Sequence, residues 1–262
     1  MSQQVERLPK GEALCLIDGD SLLYYEMGKP TLEEAIEGLD QRISSILEAC
    51  NTNRYAGFLT YGKCFRYHIA TDYKAKRKKS NRSIMFPSLF EYAIQKLNFR
   101  YYSDLEADDL VSFYSYTLSE KTIICSPDKD VLKQCTGMHY NYGKAEFVHT
   151  SPDEAIKFLW IQTLMGDSTD NIKGIPGVGI KTAENWLKDR TKDFEGFALR
   201  KYVEELGMVV GINEFYKNFK LVYLLKTVED INAIGIEHME LVRLLEEATV
   251  NIVSHELDIW EE

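Results

Sequence analysis

Apolar and polar positions alternate between two periods along this chain. The run "ALCLID", residues 13–18, is continuously apolar, ends in an acid and is followed by Gly19, the pattern of a strand buried in a parallel sheet. In "TLEEAIEGLDQRISSILEAC" the apolar positions are Leu32, Ile36, Leu39, Ile43 and Ile46/Leu47, a helical spacing with Thr31 as its N-cap. "YAGFLTY" predicts a second strand, "PSLFEYAIQKLNF" a helix running into a short strand at 99–102, and "DDLVSFYSYTLSE" another helix. "KTIICS" predicts a third buried strand, and "MHYNYG" with "EFVHTS" a hairpin. Strands alternating with helices make an α/β sheet with right-handed crossovers.

The pattern changes after residue 150. Ser151-Pro152-Asp153 is a helix start, and "IKFLWIQTLMGD", "IKTAENWLKD", "FEGFALRKYVEEL" and "NEFYKNFKLVYLL" all carry the helical period. The expected division is an α/β part over residues 1–150 and a helical part over 151–262. No internal repeat interrupts either.

Composition narrows the class. In 262 residues, 45% hydrophobic and 27% charged, there is enough apolar material for a substantial core. No window approaches the roughly 18 uncharged residues of a membrane helix, and the N-terminus lacks a long apolar run, so a cytoplasmic protein with no membrane partner is expected. The five cysteines show no C-x-x-C pairing, and Cys15 and Cys125 fall inside strand-like runs, which argues against disulfides and zinc. The net charge of −10 argues against a nucleic-acid partner until its distribution is considered. Residues 227–262 hold ten acids against one base, Arg243, leaving 31 acids and 30 bases in the preceding 226. Within that balanced body "KAKRKKSNR", Lys74 to Arg82, has six bases and no acid. Such a run is either a solvated face or a basic loop over a site. The acidic tail reads as a solvated helical face, with a partner site as the other reading.

In open α/β sheets ligands bind beyond the carboxyl ends of the strands, and acids gather at those places here. Asp18 ends the first strand, Glu106, Asp108 and Asp109 form "EADD" after the 99–102 strand, "SPDKD" puts Asp128 and Asp130 after "TIIC", and "GDSTDN" adds Asp167 and Asp170. Each cluster alone has an ordinary structural reading: first-turn helix acids for Asp108 and Asp109, turn chemistry for Asp128. Eight like charges converging on one edge would instead repel unless cations neutralised them. Oxygen-only ligation without organised His or Cys points to Mg2+ or Mn2+. Two such ions, roughly 4 Å apart, suit hydrolysis of a phosphodiester. On a helix Glu106 and Asp109 share a face and Asp108 does not, so three ligands from "EADD" require the segment to begin before regular helix. Asp20 is given no role.

"GIPGVGIKTA", residues 174–183, nearly spells a P-loop, but Ile180 pushes Lys181 one place too far and a helix precedes the loop where a strand is needed. A turn between two helices fits better. There Gly177 and Gly179 let the backbone approach a phosphate, the free N–H groups of the new helix face it, and Lys181 and Thr182 add contacts, a grip independent of base sequence.

Taken in order, "LIDGDSLLYY", "DYKAKR", "EADD", "SPDKD" and "LMGDSTDNIKGIPGVGIKTA" resemble the 5′-nuclease or flap endonuclease superfamily, which includes bacteriophage 5′-3′ exonucleases and the N-terminal domain of bacterial DNA polymerase I. The resemblance spans residues 13–187. It implies a PIN-like α/β nuclease core with a mainly parallel central sheet, then a helix-three-turn-helix at about 152–188 that binds duplex DNA, in some members with K+ in the turn. It implies two Mg2+ or Mn2+ ions on Asp18, Glu106, Asp108, Asp109, Asp128, Asp130, Asp167 and Asp170. The basic run becomes the loop or arch near 73–86 that passes a single-stranded 5′ end. Lys74 and Arg77 then contact the scissile phosphate, Tyr73 stacks on a base, and Lys76 and Lys78 bind DNA. The implied partner is a DNA duplex with a 5′ flap, nick or end, or an RNA/DNA hybrid, and, with no polymerase region following in the sequence, a monomeric, free-standing nuclease is expected.

One departure bears on activity. Members carry an Asp at the end of the second strand, shortly before a Phe-Arg, whereas "LTYGKCFR" has Tyr61 or Gly62 there. Two further readings therefore stand beside the 5′-nuclease: a structure-specific DNA-binding protein impaired in catalysis, and a PIN-type ribonuclease.

Overall fold

The computed structural model describes residues 11–76 and 84–252. Along the chain they form β1 (Leu14–Asp18), α1 (Asp20–Glu26), α2 (Leu32–Ala49), β2 (Arg54–Phe58), α3 (Arg66–Ile69), α4 (Phe86–Gln95), α5 (Ala107–Thr117), β3 (Thr122–Cys125), α6 (Lys129–Gln134), β4 (Gly137–Asn141) and β5 (Glu146–Thr150). Then follow α7 (Pro152–Met165), α8 (Ile180–Leu187), α9 (Phe194–Leu206), α10 (Met208–Val222), α11 (Val228–Ala233), α12 (His238–Ala248) and β6 (Thr249–Asn251).

The strands lie in the order β5-β4-β3-β1-β2-β6. β1 pairs in parallel with β2 and β3, and β3 with β4, while the edge strands β5 and β6 run antiparallel. The mainly parallel α/β sheet is therefore present, and so is the hairpin, as β4 and β5. The strand expected at 99–102 is reduced to one bridge, Arg100 to Phe58.

Period-2 alternation along β1 splits the core. Cys15 and Ile17 pack on one face with α1, α2 and α4, whereas Leu14 and Leu16 pack on the other with α5 and, further along the chain, Ile231, Leu241 and Ala248. All five cysteines are buried and free. The second set of packing partners departs from the sequence reading of the tail as a solvated face. Residues 228–251 return to the sheet: β6 pairs with β2, and the apolar sides of α11 and α12 fill the layer over α5, leaving their acids outside.

Helices α7 to α10 share a separate core around Trp160, Leu164, Ala183, Ala198, Tyr202 and Phe215. Ser151 caps α7 through a capping box with Glu154, and Pro152 sits in its first turn, as the sequence predicts. A smaller cluster of Cys64, Tyr73, Leu159, Ile172, Leu221 and Val222 joins these helices to the segment around α3 that follows β2. Among the described residues, no helix is long and apolar enough to cross a membrane.

Candidate metal centre and nucleic-acid interface

The site lies at the carboxyl ends of the parallel strands. Asp18, the last residue of β1, is buried; its carboxylate accepts from the Ser126 hydroxyl (2.8 Å) and the Asp20 N–H (3.3 Å). Burial first, and then the Asp20 charge, push its carboxyl up to about 7. Ser126, directly after β3, also receives the Asp128 N–H at 3.0 Å, so one hydroxyl ties the ends of β1 and β3 together. Asp128 caps α6 by accepting from the Asp130 N–H at 2.7 Å. Burial, then the Asp128 charge, raise Asp130 to about 7.

The "EADD" acids meet the condition the spacing set. Glu106 is extended (ψ 157°) and stands as the N-cap of α5, so helix begins only at Ala107. The carboxylate oxygens of Glu106, Asp108 and Asp109 come within 4.8 Å of one another. They do not share one environment. Asp109 is fully buried and held by Arg66 in a bidentate pair, Oδ1 to Nη2 at 2.8 Å and Oδ2 to Nη1 at 2.5 Å. Glu106 pairs with Lys74 and with Arg66 at 3.2 Å; burial opposes its charge, but the two cations outweigh burial and hold it at about 2. Asp108 faces a cleft that is also lined by Asp130, Asp167 and Asp170. Burial, with Glu106 and Asp109 beside it, raises its carboxyl well above the usual range.

Asp167 and Asp170 arrive on a pinned loop after α7. Asp167 and Ile172 exchange backbone hydrogen bonds at 2.8 and 2.7 Å, and Asp167 Oδ1 accepts from the Thr169 N–H at 2.7 Å. The loop closes where Gly166 (φ 74°) and Gly174 (φ 60°) meet: a Cβ on Gly174 would lie 2.2 Å from the Met165 carbonyl carbon, and one on Gly166 2.3 Å from the Ile172 oxygen. Only glycine fits either place. The loop is also tied to the segment before the basic run, because the Lys74 N–H donates to the Asp170 carbonyl at 2.8 Å.

Of the expected phosphate and base contacts, Lys74 is partly buried and adopts a left-handed backbone (φ 57°), with its ammonium near Glu106 and Asp170. Tyr73 differs from the expectation of base stacking. Its ring is only 4% exposed, and its hydroxyl donates to Glu106 at 2.9 Å and lies 3.2 Å from Asp170, so neither face is open. Lys76 is exposed. Arg77 and Lys78 lie outside the described residues.

Gly177 (φ 76°) and Gly179 are exposed, and a Cβ on either would meet nothing within 4 Å, so the backbone there is open to a large ligand. Gly179 precedes α8 without a side-chain cap, leaving the first N–H groups of that helix facing outward beside exposed Lys181 and half-buried Thr182.

Sequence reasoning missed two residues. Arg66 is 1% exposed and, besides its acids, donates to the carbonyls of Leu221 (2.9 Å) and Tyr223 (2.8 Å). The only trace of it in the sequence is a lone Arg after Phe65. Asp20 receives the Thr60 N–H at 2.8 Å and so brings a carboxylate to the end of β2, the strand end where the sequence lacks an acid; Tyr61, next along, is 57% exposed and lies against Tyr101, ring centroids 4.7 Å apart. Burial raises the Asp20 carboxyl, and its neighbours include Glu106 and Lys74.

The donors are all oxygen, and burial raises the carboxyls of Asp18, Asp108 and Asp130 among them, which fits a hard divalent cation and not zinc bound through thiolates.

Comparison with known proteins bears on the same residues. Residues 13–156 match the family model of the 5′-3′ exonuclease N-terminal resolvase-like domain. A 5′-3′ exonuclease of Buchnera aphidicola (subsp. Acyrthosiphon pisum) is 31% identical over 204 residues, covering 66% of this chain and 69% of that protein. A DNA polymerase I of Lactococcus lactis is 26% identical over 212 residues, 68% of this chain but 24% of the relative. Among solved structures, a bacteriophage T5 flap endonuclease in complex with DNA and metal ions shares the fold with a TM-score of 0.69 at 19% identity, over 90% of this chain and 97% of the other. The family match takes in the strand-end acids from Asp18 to Asp130 and covers more than half of the chain, and on that ground the protein belongs to the 5′-3′ exonuclease family and is a nuclease.

Proposed function

We propose that this nuclease hydrolyses phosphodiester bonds at 5′ ends or 5′ flaps of duplex DNA, using two Mg2+ or Mn2+ ions. The observation that carries this reading is the gathering of acids from α5, α6 and the 166–174 loop around one cleft, lined by Asp108, Asp130, Asp167 and Asp170, with Asp18 of β1 tied to the segment before α6 through Ser126. Asp18, Glu106, Asp108, Asp128, Asp130, Asp167 and Asp170 would hold the ions. When bound, such ions supply the Lewis acidity that the hydrolysis needs. Asp109 has a different part in this reading: with both oxygens on Arg66, it keeps the start of α5 in place.

The chain's own residues supply position and charge. Lys74, beside Glu106 and Asp170, puts a cation at the cleft where negative charge develops on the phosphate, and Arg77 acts with it. Tyr73 orients Glu106 by donating to its carboxylate, a positioning part in place of the base-stacking one. The open backbone at Gly177 and Gly179, the uncapped start of α8, Lys181 and Thr182 grip the duplex through its phosphates, with Lys76 and Lys78 adding charge near the single strand. Its relatives are bacterial proteins, and in this reading it acts in the cytoplasm and as a monomer.

The test is cleavage of a labelled 5′-flap duplex with Mg2+ by the native chain and by Asp128→Ala. The native chain cuts near the junction and the variant binds without cutting. Binding without cleavage by the native chain would favour the impaired DNA-binding reading, and equal turnover of single-stranded RNA would favour the ribonuclease.

A further inference from the structure

Asp20 lies in the first turn of α1, where an acid is ordinarily explained by the helix dipole. Its contacts are more specific. Its carboxylate accepts the Thr60 N–H at 2.8 Å and so holds the backbone of Thr60. The side chain of Thr60 carries the connection onward, because its hydroxyl oxygen accepts the Ala107 N–H at 3.0 Å. Ala107 is the first residue of α5, so this N–H is one of the four that a helix start leaves unsatisfied. It sits between Glu106 and Asp108, two of the acids assigned to the cations. The Asp20 N–H completes the chain of contacts by donating to Asp18 at 3.3 Å.

We infer that Asp20 is a positioning residue, and that Asp20, Thr60 and Ala107 form a relay fixing the acids of α5 against the acid of β1. The inference rests on the metal-dependent reading above. Asp18, Glu106 and Asp108 come from segments nearly ninety residues apart in sequence, and they have to be spaced to within a few tenths of an ångström to share cations. Ser126 performs this task between β1 and β3. Between β1 and α5, across the end of β2, the relay performs it.

The test uses the full-length protein and two readouts, Mn2+ binding followed by electron paramagnetic resonance and single-turnover cleavage of the 5′-flap duplex. Thr60→Val keeps the backbone N–H and the shape but removes the hydroxyl. It should weaken Mn2+ binding and slow cleavage at saturating DNA by about tenfold each, the usual loss when a residue that orients a ligand is removed, with duplex affinity unchanged. Thr60→Ser restores the hydroxyl and should stay within about twofold of native, which separates the relay from a folding defect. Asp20→Ala should match Thr60→Val, and the double variant should be no worse than the more damaged single one, because both break one chain. Native Mn2+ affinity in Thr60→Val, or losses that multiply in the double variant, would overturn the relay. Those outcomes would make Asp20 a cation ligand in its own right or a plain helix-start acid. A native chain that binds Mn2+ but cuts no DNA refutes only the nuclease reading, and the Mn2+ titrations still decide the relay.

Discussion

Replacing Arg66 by alanine should unfold this protein more readily than any other single truncation of a polar residue at the site. The guanidinium has five polar contacts: both oxygens of Asp109 (2.5 and 2.8 Å), Glu106 (3.2 Å), and the carbonyls of Leu221 (2.9 Å) and Tyr223 (2.8 Å). Without it, Asp109 is a fully buried carboxylate whose other donors are the N–H groups of Glu106 and Leu225, both at 3.4 Å. Breaking a buried pair from one side costs about 3–5 kcal/mol, since the stranded charge has neither partner nor water. Two carbonyls lose a donor as well, while protonation of Asp109 recovers part of the loss. The expected net is about 4 kcal/mol. Urea unfolding at pH 7.5 with EDTA reads it as a shift in midpoint at unchanged slope. Combining Arg66→Met with Asp109→Asn removes both charges, so its cost should fall short of the summed single losses by about 2 kcal/mol or more. A loss below about 1 kcal/mol for Arg66→Ala, or simple additivity in the pair, would refute the claim that this ion pair holds α5 to the end of α10.

Gly174→Ala should lose both stability and cleavage, because a Cβ would lie 2.2 Å from backbone at a left-handed φ; normal cleavage with a native melting temperature would contradict the loop geometry. Lys181→Ala should weaken duplex binding uniformly across sequences and reduce the salt slope by about one; an unchanged slope removes it from the interface. The metal-free protein should become more stable as pH falls from 8 to 5.5. Asp18 and Asp130 titrate near 7 when folded, so the native state binds more protons than the unfolded chain across that window and stability drops as pH rises through it. Glu106, held at about 2, contributes in the opposite sense only below about pH 4, outside the window, while His139, lowered by burial, opposes with a single group at the acid end of the window. Equal urea midpoints in EDTA at the two pH values would count against buried, mutually repelling carboxyls.

The acids at the ends of β1 and β3 were legible because each follows a short, continuously apolar run that marks a buried strand and its carboxyl end; Asp18 after "LCLI" needs nothing from elsewhere in the chain. Arg66 was not, because the groups that define its position, Asp109, Leu221 and Tyr223, lie 43 to 157 residues away. Asp20 was hidden by ambiguity of a different kind, since an acid at a helix start has a sufficient local explanation and its bond to Thr60 exists only once β1 and β2 are paired. The tail misled through composition. Its ten acids against one base dominate the reading, but Ile231, Leu241 and Ala248 recur on one side, and the "TVN" of β6 is too short to stand out. Base stacking by Tyr73 is what the family resemblance implies, yet an aromatic hydroxyl among carboxylates gains more by donating to them than by facing solvent.

The crossing of Gly166 and Gly174 sets a length as well as a shape. Residues 167–173 are closed off at their base, so Asp167 and Asp170 on one side and Gly177 to Lys181 on the other belong to a single piece of chain, residues 166–181, pinned near its middle. In a nuclease that grips the duplex with one part of that piece and holds its cations with the other, the piece acts as a ruler. The bond to be cut is then chosen by its distance from the gripped phosphates and not by its sequence. Lengthening the segment between Gly174 and Gly179 would be expected to move the cut along the strand before it abolished cutting.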